Sequence, residues 1–222
     1  MHSFSLRSVV LGLLVAVAWP AAPAATPAPA PTGVIDNTTP QALIQTSSQV
    51  LMADLDANRV RYRKDIRLLQ DSIEKTFLPH FDVDYAAQQV LGKYWREADA
   101  TQRTRFTETF YRLLLQTYGD ALVEFTGDRM KVLPFQGDPA APRASVRTEI
   151  RRSGGDAVAV NYTLRKLPSG EWKAWDVVIE GISFVKSFRE DYGLVVQQQG
   201  LEALIQRLEA QGKATAAKSA GK

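Results

Sequence analysis

Residues Trp172 to Tyr192 read WKAWDVVIEGISFVKSFREDY, and this segment carries the strongest structural signal in the sequence. Its first half predicts a β-strand that is apolar on both faces, because apolar side chains occupy both odd and even positions. After Gly181 the apolar spacing changes to about 3.6 residues, which predicts a helix. Such a strand needs apolar cover on each side of its sheet. The predicted faces are Trp172, Ala174 and Val178 on one side, and Trp175, Val177 and Ile179 on the other.

Further strands precede this one in the second half of the chain. Turn residues at 153–156 and 168–170 predict hairpins, so the strands are expected to pair antiparallel. Helices of the first half and of the C-terminus would then pack on one sheet, which is an α+β fold with a curved sheet. The predicted strands are Arg129–Phe135, Arg143–Arg151, Ala157–Lys166 and Trp172–Glu180.

The first half of the chain has helical apolar spacing. Thr39 followed by Pro40 predicts the start of a first helix, and Pro79 stops a second one. Asp99 and Gln102 have the spacing of a capping box, which opens a long helix predicted to end at Gly127. Other predicted helices cover 84–91, 183–198 and 201–211.

Both ends of the chain are predicted to lie outside the compact domain. Residues 1–24 resemble a secretory signal peptide, with an apolar run too short to span a bilayer and small residues for cleavage near Ala24. Residues 25–38 form a Pro/Ala linker, and residues 212–222 are expected to be a flexible tail. The predicted domain therefore covers 39–211, and the mature protein is expected in the periplasm of a bacterium.

Composition excludes several chemistries. The chain has two histidines and no cysteine, and His2 would leave with the signal peptide. His80 alone cannot build a His/Cys zinc site, and no Gly-x-Ser-x-Gly elbow is present. The net charge of +3 is too small to indicate nucleic-acid binding. We therefore expect no metal, no cofactor and no catalytic constellation, and Asp176 is predicted to be a hydrogen-bonded structural residue.

Apolar side chains are abundant along the predicted helices and strands. Two explanations remain open: an ordinary core, or a cavity between sheet and helices that holds hydrocarbon. The residues that would line such a cavity are Phe110, Leu114, Tyr118, Leu122, Val146, Ile150, Val160, Tyr162, Val177, Ile179, Phe184, Val185 and Phe188.

Two groups of segments resemble the MlaC family of periplasmic phospholipid-binding proteins, also called the toluene-tolerance family. The first is FDVDYAAQQVLGKYWR at 81–96, continued by ADATQRTRF at 98–106 and FYRLLLQTY at 110–118. The second is the 172–192 segment, followed by GLEALIQRL at 200–208. The resemblance extends in order from about Thr39 to Gln211.

This resemblance implies a fold related to nuclear transport factor 2 and a non-enzymatic role as a phospholipid carrier. It further implies shuttling between an outer-membrane lipoprotein–porin complex and an inner-membrane ABC transporter with an MCE-domain subunit, which maintains outer-membrane lipid asymmetry. Two alternatives remain: an enzyme of similar fold that uses Asp176 or His80 on a small apolar substrate, and an interaction module without lipid, with a basic cluster around Arg61 as its docking surface.

Overall fold

The computed structural model of the protein describes residues 33–123, 130–151 and 155–220. The predicted signal peptide, most of the predicted linker and the predicted helix end at Gly127 lie outside these residues. None of the described helices is both long enough and apolar enough to cross a bilayer.

Two helices begin at the caps that the sequence predicts, Thr39 and Asp99, and a third begins after Asp82. The Thr39 hydroxyl accepts the N–H of Ala42, and the Asp82 carboxylate accepts that of Tyr85. Asp99 and Gln102 form the predicted reciprocal capping box, each side chain accepting the other residue's backbone N–H. The helices are α1 Pro40–Lys64, α2 Ile66–Thr76, α3 Val83–Leu91, α4 Tyr94–Glu97, α5 Ala100–Val123, α6 Phe184–Gln199 and α7 Leu201–Ala220.

The strands form one antiparallel sheet in the order β1-β2-β3-β4-β5. The predicted α+β fold is confirmed, and β2 and β3 have the predicted bounds. The short last strand was not predicted, because two residues are too few to show a period. The strands are β1 Met130–Val132, β2 Arg143–Arg151, β3 Ala157–Lys166, β4 Trp172–Ile179 and β5 Ile182–Ser183.

A β-bulge in β4 corrects the prediction of two apolar faces. Leu164 pairs with Ala174 whereas the adjacent Thr163 pairs with Asp176, so Trp175 is an extra residue. After this extra residue, the alternation of β4 side chains between the two faces of the sheet is shifted by one position. Because of this shift, Trp172, Ala174, Val177 and Ile179 share one face, and Asp176 and Val178 lie on the other. The prediction that placed Val178 with Trp172 was therefore wrong.

The face that carries Ala174 and Val177 is called the inner face below. Helix α1 covers part of it, since Leu43 and Ile44 pack against Val146, Leu164 and Trp172 in one buried cluster. Register places the other inner-face residues of β2 and β3 on the same side: Ala144, Thr148, Ile150, Val158, Val160 and Tyr162.

The remaining helices build two further buried clusters. Phe106 and Phe110 of α5 pack with Leu204 and Ile205 of α7 in a cluster that also includes α3 and α6. Leu55 of α1 packs with Leu69 of α2 and Val123 of α5 in the other. On the opposite side of the sheet from the inner face, Tyr85 of α3 contacts Arg143 and Arg165. Helices therefore contact both sides of the sheet.

Contacts of the N-terminal segment begin before the predicted limit at Thr39, and the last helix continues beyond the predicted limit at Gln211. Ile35 is buried in the α1–sheet cluster, and the carbonyl of Asn37 accepts the N–H of Trp172 at 2.9 Å. At the other end, α7 continues to Ala220, past the predicted end at Gln211. The alanines of this segment have high helix propensity, which explains the extension. The flexibility of the tail stays a prediction.

Two glycines provide a stability test of opposite signs. Gly181 follows Glu180 in the β4–β5 turn, and both have positive φ, +85° and +49°. An alanine at Gly181 would be strained, so Gly181→Ala is expected to lower the free energy of unfolding by about 1–2 kcal/mol.

Gly193 lies within α6, and a Cβ there would meet no atom within 4 Å. Gly193→Ala is therefore expected to raise the free energy of unfolding by about 0.5–1 kcal/mol. Urea titration measures both changes, and equal signs would contradict this description of the turn.

Candidate functional site

The inner face contains a region of partly accessible apolar side chains beyond α1. Tyr162 lies between Val146 and Val177 in register, and Val160 pairs with Ile179 on the next row. Tyr162, Val177 and Ile179 all keep accessible surface, whereas Val160 is buried. The inner face is therefore only partly covered by protein.

Tyr162 lies in the middle of this partly accessible region. Its surroundings are apolar, and burial raises the pKa of its hydroxyl to about 12. No described residue hydrogen-bonds to this hydroxyl. Tyr162 is therefore a partly accessible side chain with apolar neighbours on the inner face.

A series of aromatic side chains from α5 and α6 forms a second apolar surface. Tyr118 lies 5.5 Å from Phe184 between ring centroids, Phe184 lies 6.2 Å from Phe188, and Phe188 lies 5.2 Å from Phe110. Tyr118 is 42% exposed. This series runs from the buried α5–α7 cluster out to the surface.

Strand β5 brings the two apolar surfaces next to each other. Ile182 pairs with Ile179 at the end of the inner face, and Phe184 opens α6 directly afterwards. Meanwhile α5 makes its extensive contacts with α1, α2, α3 and α7 rather than with strands. The partly covered inner face thus ends at the β5 edge of the sheet, where the aromatic series begins, and two adjoining apolar surfaces of this kind suit an apolar ligand.

The residues predicted to line a cavity are distributed over several environments. The structure brings Val160, Tyr162, Val177 and Ile179 together on the inner face, and Tyr118, Phe184, Phe188 and Phe110 together in the aromatic series. It does not bring all of them to one surface. Leu122 packs in the α1–α2–α5 cluster, Leu114 and Val185 pack in the α5–α7 cluster, Val146 lies buried beneath α1, and Ile150 lies towards β1. Ligand contact by any of these residues stays a prediction.

Two features near this region were missed from the sequence. Ile182, 65% exposed, extends the inner face onto β5, and only its position after a Glu-Gly turn could have indicated it. The second is a groove of about 610 Å³ between α1 and β1. Its glutamines repeat along α1 at helical spacing, which is also typical of any solvated helix face. The groove is lined by Gln41, Gln45, Ser48, Gln49, Met52, Ala53, Asp56, Met130, Val132 and Pro134.

Asp176 has the structural role that the sequence predicted. It is 4% exposed, and its carboxylate accepts the hydroxyl of Ser183 at 2.6 Å and the backbone N–H of Val185 at 3.0 Å. The Ser183 hydroxyl oxygen in turn accepts the N–H of Lys186 at 3.0 Å. Asp176 therefore attaches the first turn of α6 to the sheet and holds Phe184 in place.

His80 is the other titratable residue that the sequence singled out. It lies in a 3₁₀ turn at Leu78–His80, and burial, assisted by the charge of Lys173, lowers its pKa. Its Nδ1 is buried with no hydrogen-bond partner among the described residues. Within that part of the chain, no group of His, Asp and Glu side chains is arranged to hold a metal ion.

Burial of the Tyr162 hydroxyl predicts that the free energy of unfolding depends on pH. Its pKa rises from an ordinary value of 10 to about 12, so the folded state keeps a proton that the unfolded state releases. Stability is therefore expected to fall as pH rises above about 10. The measurement is urea unfolding at pH 9 and pH 11. We expect the loss of stability to be smaller in Tyr162→Phe, and an equal loss would contradict the buried position of the hydroxyl.

Comparison with known proteins identifies similar sequences. A profile of the family described as "MlaC protein" matches residues 45–210. The Toluene tolerance protein ttg2D of Pseudomonas putida is 33% identical over 163 residues, which are 73% of this chain and 75% of that protein. The intermembrane phospholipid transport system binding protein MlaC of Haemophilus influenzae is 28% identical over 177 residues, 79% of this chain and 83% of that protein.

A solved structure has the same fold. It is the phospholipid-binding protein of Ralstonia solanacearum in complex with a phospholipid, and it superposes with a TM-score of 0.72. The superposition covers 79% of this chain and 98% of the other, at 22% sequence identity. This similarity confirms the fold.

Proposed function

Because this chain belongs to the MlaC family, we propose that it is a non-enzymatic phospholipid carrier of the bacterial periplasm. The family's relatives include a binding protein of an intermembrane phospholipid transport system, and the fold is shared with a protein that binds a phospholipid. The proposed cargo is a phospholipid whose acyl chains lie between the inner face and the aromatic series. No cofactor takes part.

The observation that carries this proposal is the accessible apolar surface next to Tyr162. Two sixteen-carbon chains contain roughly thirty methylenes at about 0.8 kcal/mol each, so their exposure to water costs on the order of 25 kcal/mol. A carrier must therefore enclose most of its cargo. Apolar enclosure is not directional, so it binds acyl chains without a covalent step and without a catalytic group.

The wider role that we propose follows the family. After export by a signal peptide at 1–24, the carrier would exchange lipid with an outer-membrane lipoprotein–porin complex and with an inner-membrane ABC transporter and its MCE-domain subunit. Such exchange would maintain the lipid asymmetry of the outer membrane. Release requires a partner that favours a conformation with a more open cavity. The lipid dissociates only when its bound state is no longer the more stable one.

Native mass spectrometry of the protein purified from a bacterial periplasm tests the binding function. We expect a population whose mass exceeds that of the mature chain by one or more phospholipids. Protein that has lost its lipid should regain it when incubated with phospholipid vesicles. A folded protein that is repeatedly empty and takes up nothing from vesicles would overturn the proposal.

The Nδ1 of His80, which has no hydrogen-bond partner among the described residues, favours an enzyme instead. A carrier does not need this atom. We therefore expect His80→Ala to keep the wild-type amount of bound phospholipid. A turnover of bound lipid by the wild type that His80→Ala abolishes would support the enzyme, and no such turnover is expected.

A further inference from the structure

The basic cluster that the sequence singled out lies where α1 ends and α2 begins. Arg61, Arg63 and Lys64 occupy the last turn of α1, and Arg67 lies in the first turn of α2. All four residues are exposed to solvent. Residues 59–67 contain five cationic side chains and one carboxylate, so this end of the helix pair carries a local excess of positive charge.

Two ion pairs neutralise the outer members of the cluster. Arg59 pairs with Asp56 at 3.1 Å between nitrogen and oxygen, and it also donates to the carbonyl of Val123. Arg67 pairs with Asp65 at 2.8 Å, and the same carboxylate accepts the backbone N–H of Arg67. These two pairs therefore add little net charge to the surface.

Arg61 and Lys64 keep an uncompensated charge. The guanidinium of Arg61 donates to the neutral side-chain oxygen of Asn58 at 3.2 Å. Within the described part of the chain, neither Arg61 nor Lys64 forms an ion pair with a carboxylate. An external anionic group can therefore pair with both side chains without breaking an existing ion pair.

An exposed apolar residue lies among these cations. Val60 is 66% exposed, and Arg63 and Lys64 are its neighbours three and four positions further along the helix. An apolar side chain beside long cationic ones is typical of helix surfaces that lie on a bilayer, where the apolar group enters the acyl boundary and the cations stay among the headgroups. The core of a protein–protein interface is instead depleted of charged residues.

The cluster is attached to the end of α5 at which the aromatic series reaches the surface. Arg59 bonds to the carbonyl of Val123, and Ile66 lies beside Gly119, where an added Cβ would be 3.6 Å from the Ile66 side chain. Gly119 directly follows Tyr118, which is 42% exposed. A bilayer in contact with the cluster would therefore be close to the exposed end of the aromatic series.

We propose that the end of α1 is a docking site for the surface of an anionic phospholipid bilayer. Lipid phosphates accept charge-assisted hydrogen bonds from Arg61 and Lys64, and Val60 enters the acyl boundary. Each cation held at an anionic leaflet strengthens binding about fivefold, so these two supply about 25-fold and the contact stays reversible. This docking goes beyond the proposed carrier function, because it concerns the outside of the protein and does not require a lipid inside it.

Co-sedimentation of the mature protein with vesicles tests the docking. We expect binding to vesicles of phosphatidylglycerol and phosphatidylcholine at about 0.1 M salt, and binding about 25-fold weaker to vesicles of phosphatidylcholine alone. At about 1 M salt the Debye length falls from about 10 Å to about 3 Å, so binding to the anionic vesicles should be largely lost. Wild-type protein that does not bind the anionic vesicles at low salt would overturn the proposal.

Two double variants locate the docking site. Arg61→Glu/Lys64→Glu is expected to bind the anionic vesicles about 25-fold more weakly or worse. Arg96→Glu/Arg207→Glu is the matched control, because it makes the same change in net charge at exposed positions. Arg96 precedes α5 and Arg207 lies on α7 beside the N-terminal half of α5, far from the cluster. The control should bind nearly as the wild type does, and equal losses in the two double variants would overturn the proposed site.

The contact of Val60 with the bilayer has a separate readout. The chain has no cysteine, so Val60→Cys provides a single thiol for an environment-sensitive fluorophore such as nitrobenzoxadiazole. Its emission should rise when anionic vesicles are added, because the fluorophore leaves water. The same label at Leu194→Cys, exposed on α6, should not respond. A response at position 194 and none at position 60 would contradict the proposed orientation on the bilayer.

Lipid content distinguishes a failure of docking from a failure of the carrier function. Native mass spectrometry should find the wild-type amount of bound phospholipid in Arg61→Glu/Lys64→Glu, because these side chains lie on the outside of the protein. A wild type that docks on vesicles but holds no lipid would contradict the proposed function and leave the docking site intact. A wild type that holds lipid but does not dock would contradict only the docking.

Discussion

Replacement of Val177 by glutamate is expected to abolish phospholipid loading while the protein remains folded. Val177 lies on the inner face beside Tyr162, and its side chain keeps accessible surface. In the lipid-free protein the new carboxylate can be solvated. In the loaded protein it would be buried among acyl chains without a partner, which costs several kcal/mol. Since each 1.4 kcal/mol is a factor of ten, loading should fall by about 100-fold or more.

The measurement is the amount of phospholipid retained after incubation with vesicles. Ala157→Glu is the matched control, because Ala157 is exposed on the adjacent strand and pairs with Arg151. The control should load normally, and thermal unfolding should show that both variants are folded. If Val177→Glu does not fold, Val177→Thr gives a milder polar change of similar shape. Normal loading of the folded variants would remove Val177 from the site.

Replacement of Asp176 by alanine is expected to cause the largest loss of stability among these substitutions. The change removes both acceptors that hold the start of α6, and it leaves the N–H of Val185 and the hydroxyl of Ser183 without this partner. Loss of buried hydrogen bonds to a charged group costs about 2–4 kcal/mol. In a chain of this length the melting temperature should fall by roughly 5–12 °C.

Asp176→Asn separates this structural role from a catalytic one. Its amide oxygen can still accept the N–H of Val185, so the melting temperature should fall by less than in the alanine variant. The folded asparagine variant should also keep its phospholipid. A loss of lipid without a loss of stability would instead indicate that Asp176 acts directly on the ligand.

Local signals in the sequence were sufficient to predict most of the fold. Thr39, Asp99 and Gln102 cap helices as predicted, because capping depends on neighbours within the same turn. The bounds of β2 and β3 were also predicted, since alternation and turn residues are local. The bulge at Trp175 was not, because it depends on how β4 pairs with β3.

The candidate site was predictable only in part for the same reason. The sequence indicated an apolar surplus, and the 172–192 segment indicated where strand and helix meet. It could not distinguish Val185, which packs in the core, from Phe184, which lies in the aromatic series one residue earlier. The groove depends on the distance between α1 and β1, two elements far apart in the sequence. The resemblance to the MlaC family indicated a phospholipid as the ligand. The apolar periodicity alone did not identify a ligand class.

Acyl chains between the inner face and the aromatic series would be detected most directly by nuclear Overhauser effects between a bound phospholipid and selectively labelled methyl groups. We predict cross-peaks from the acyl methylenes to Val177 and Ile179, and none to Val34 and Leu194, which are exposed elsewhere. Cross-peaks to Val34 or Leu194 without any to Val177 and Ile179 would contradict this position of the acyl chains.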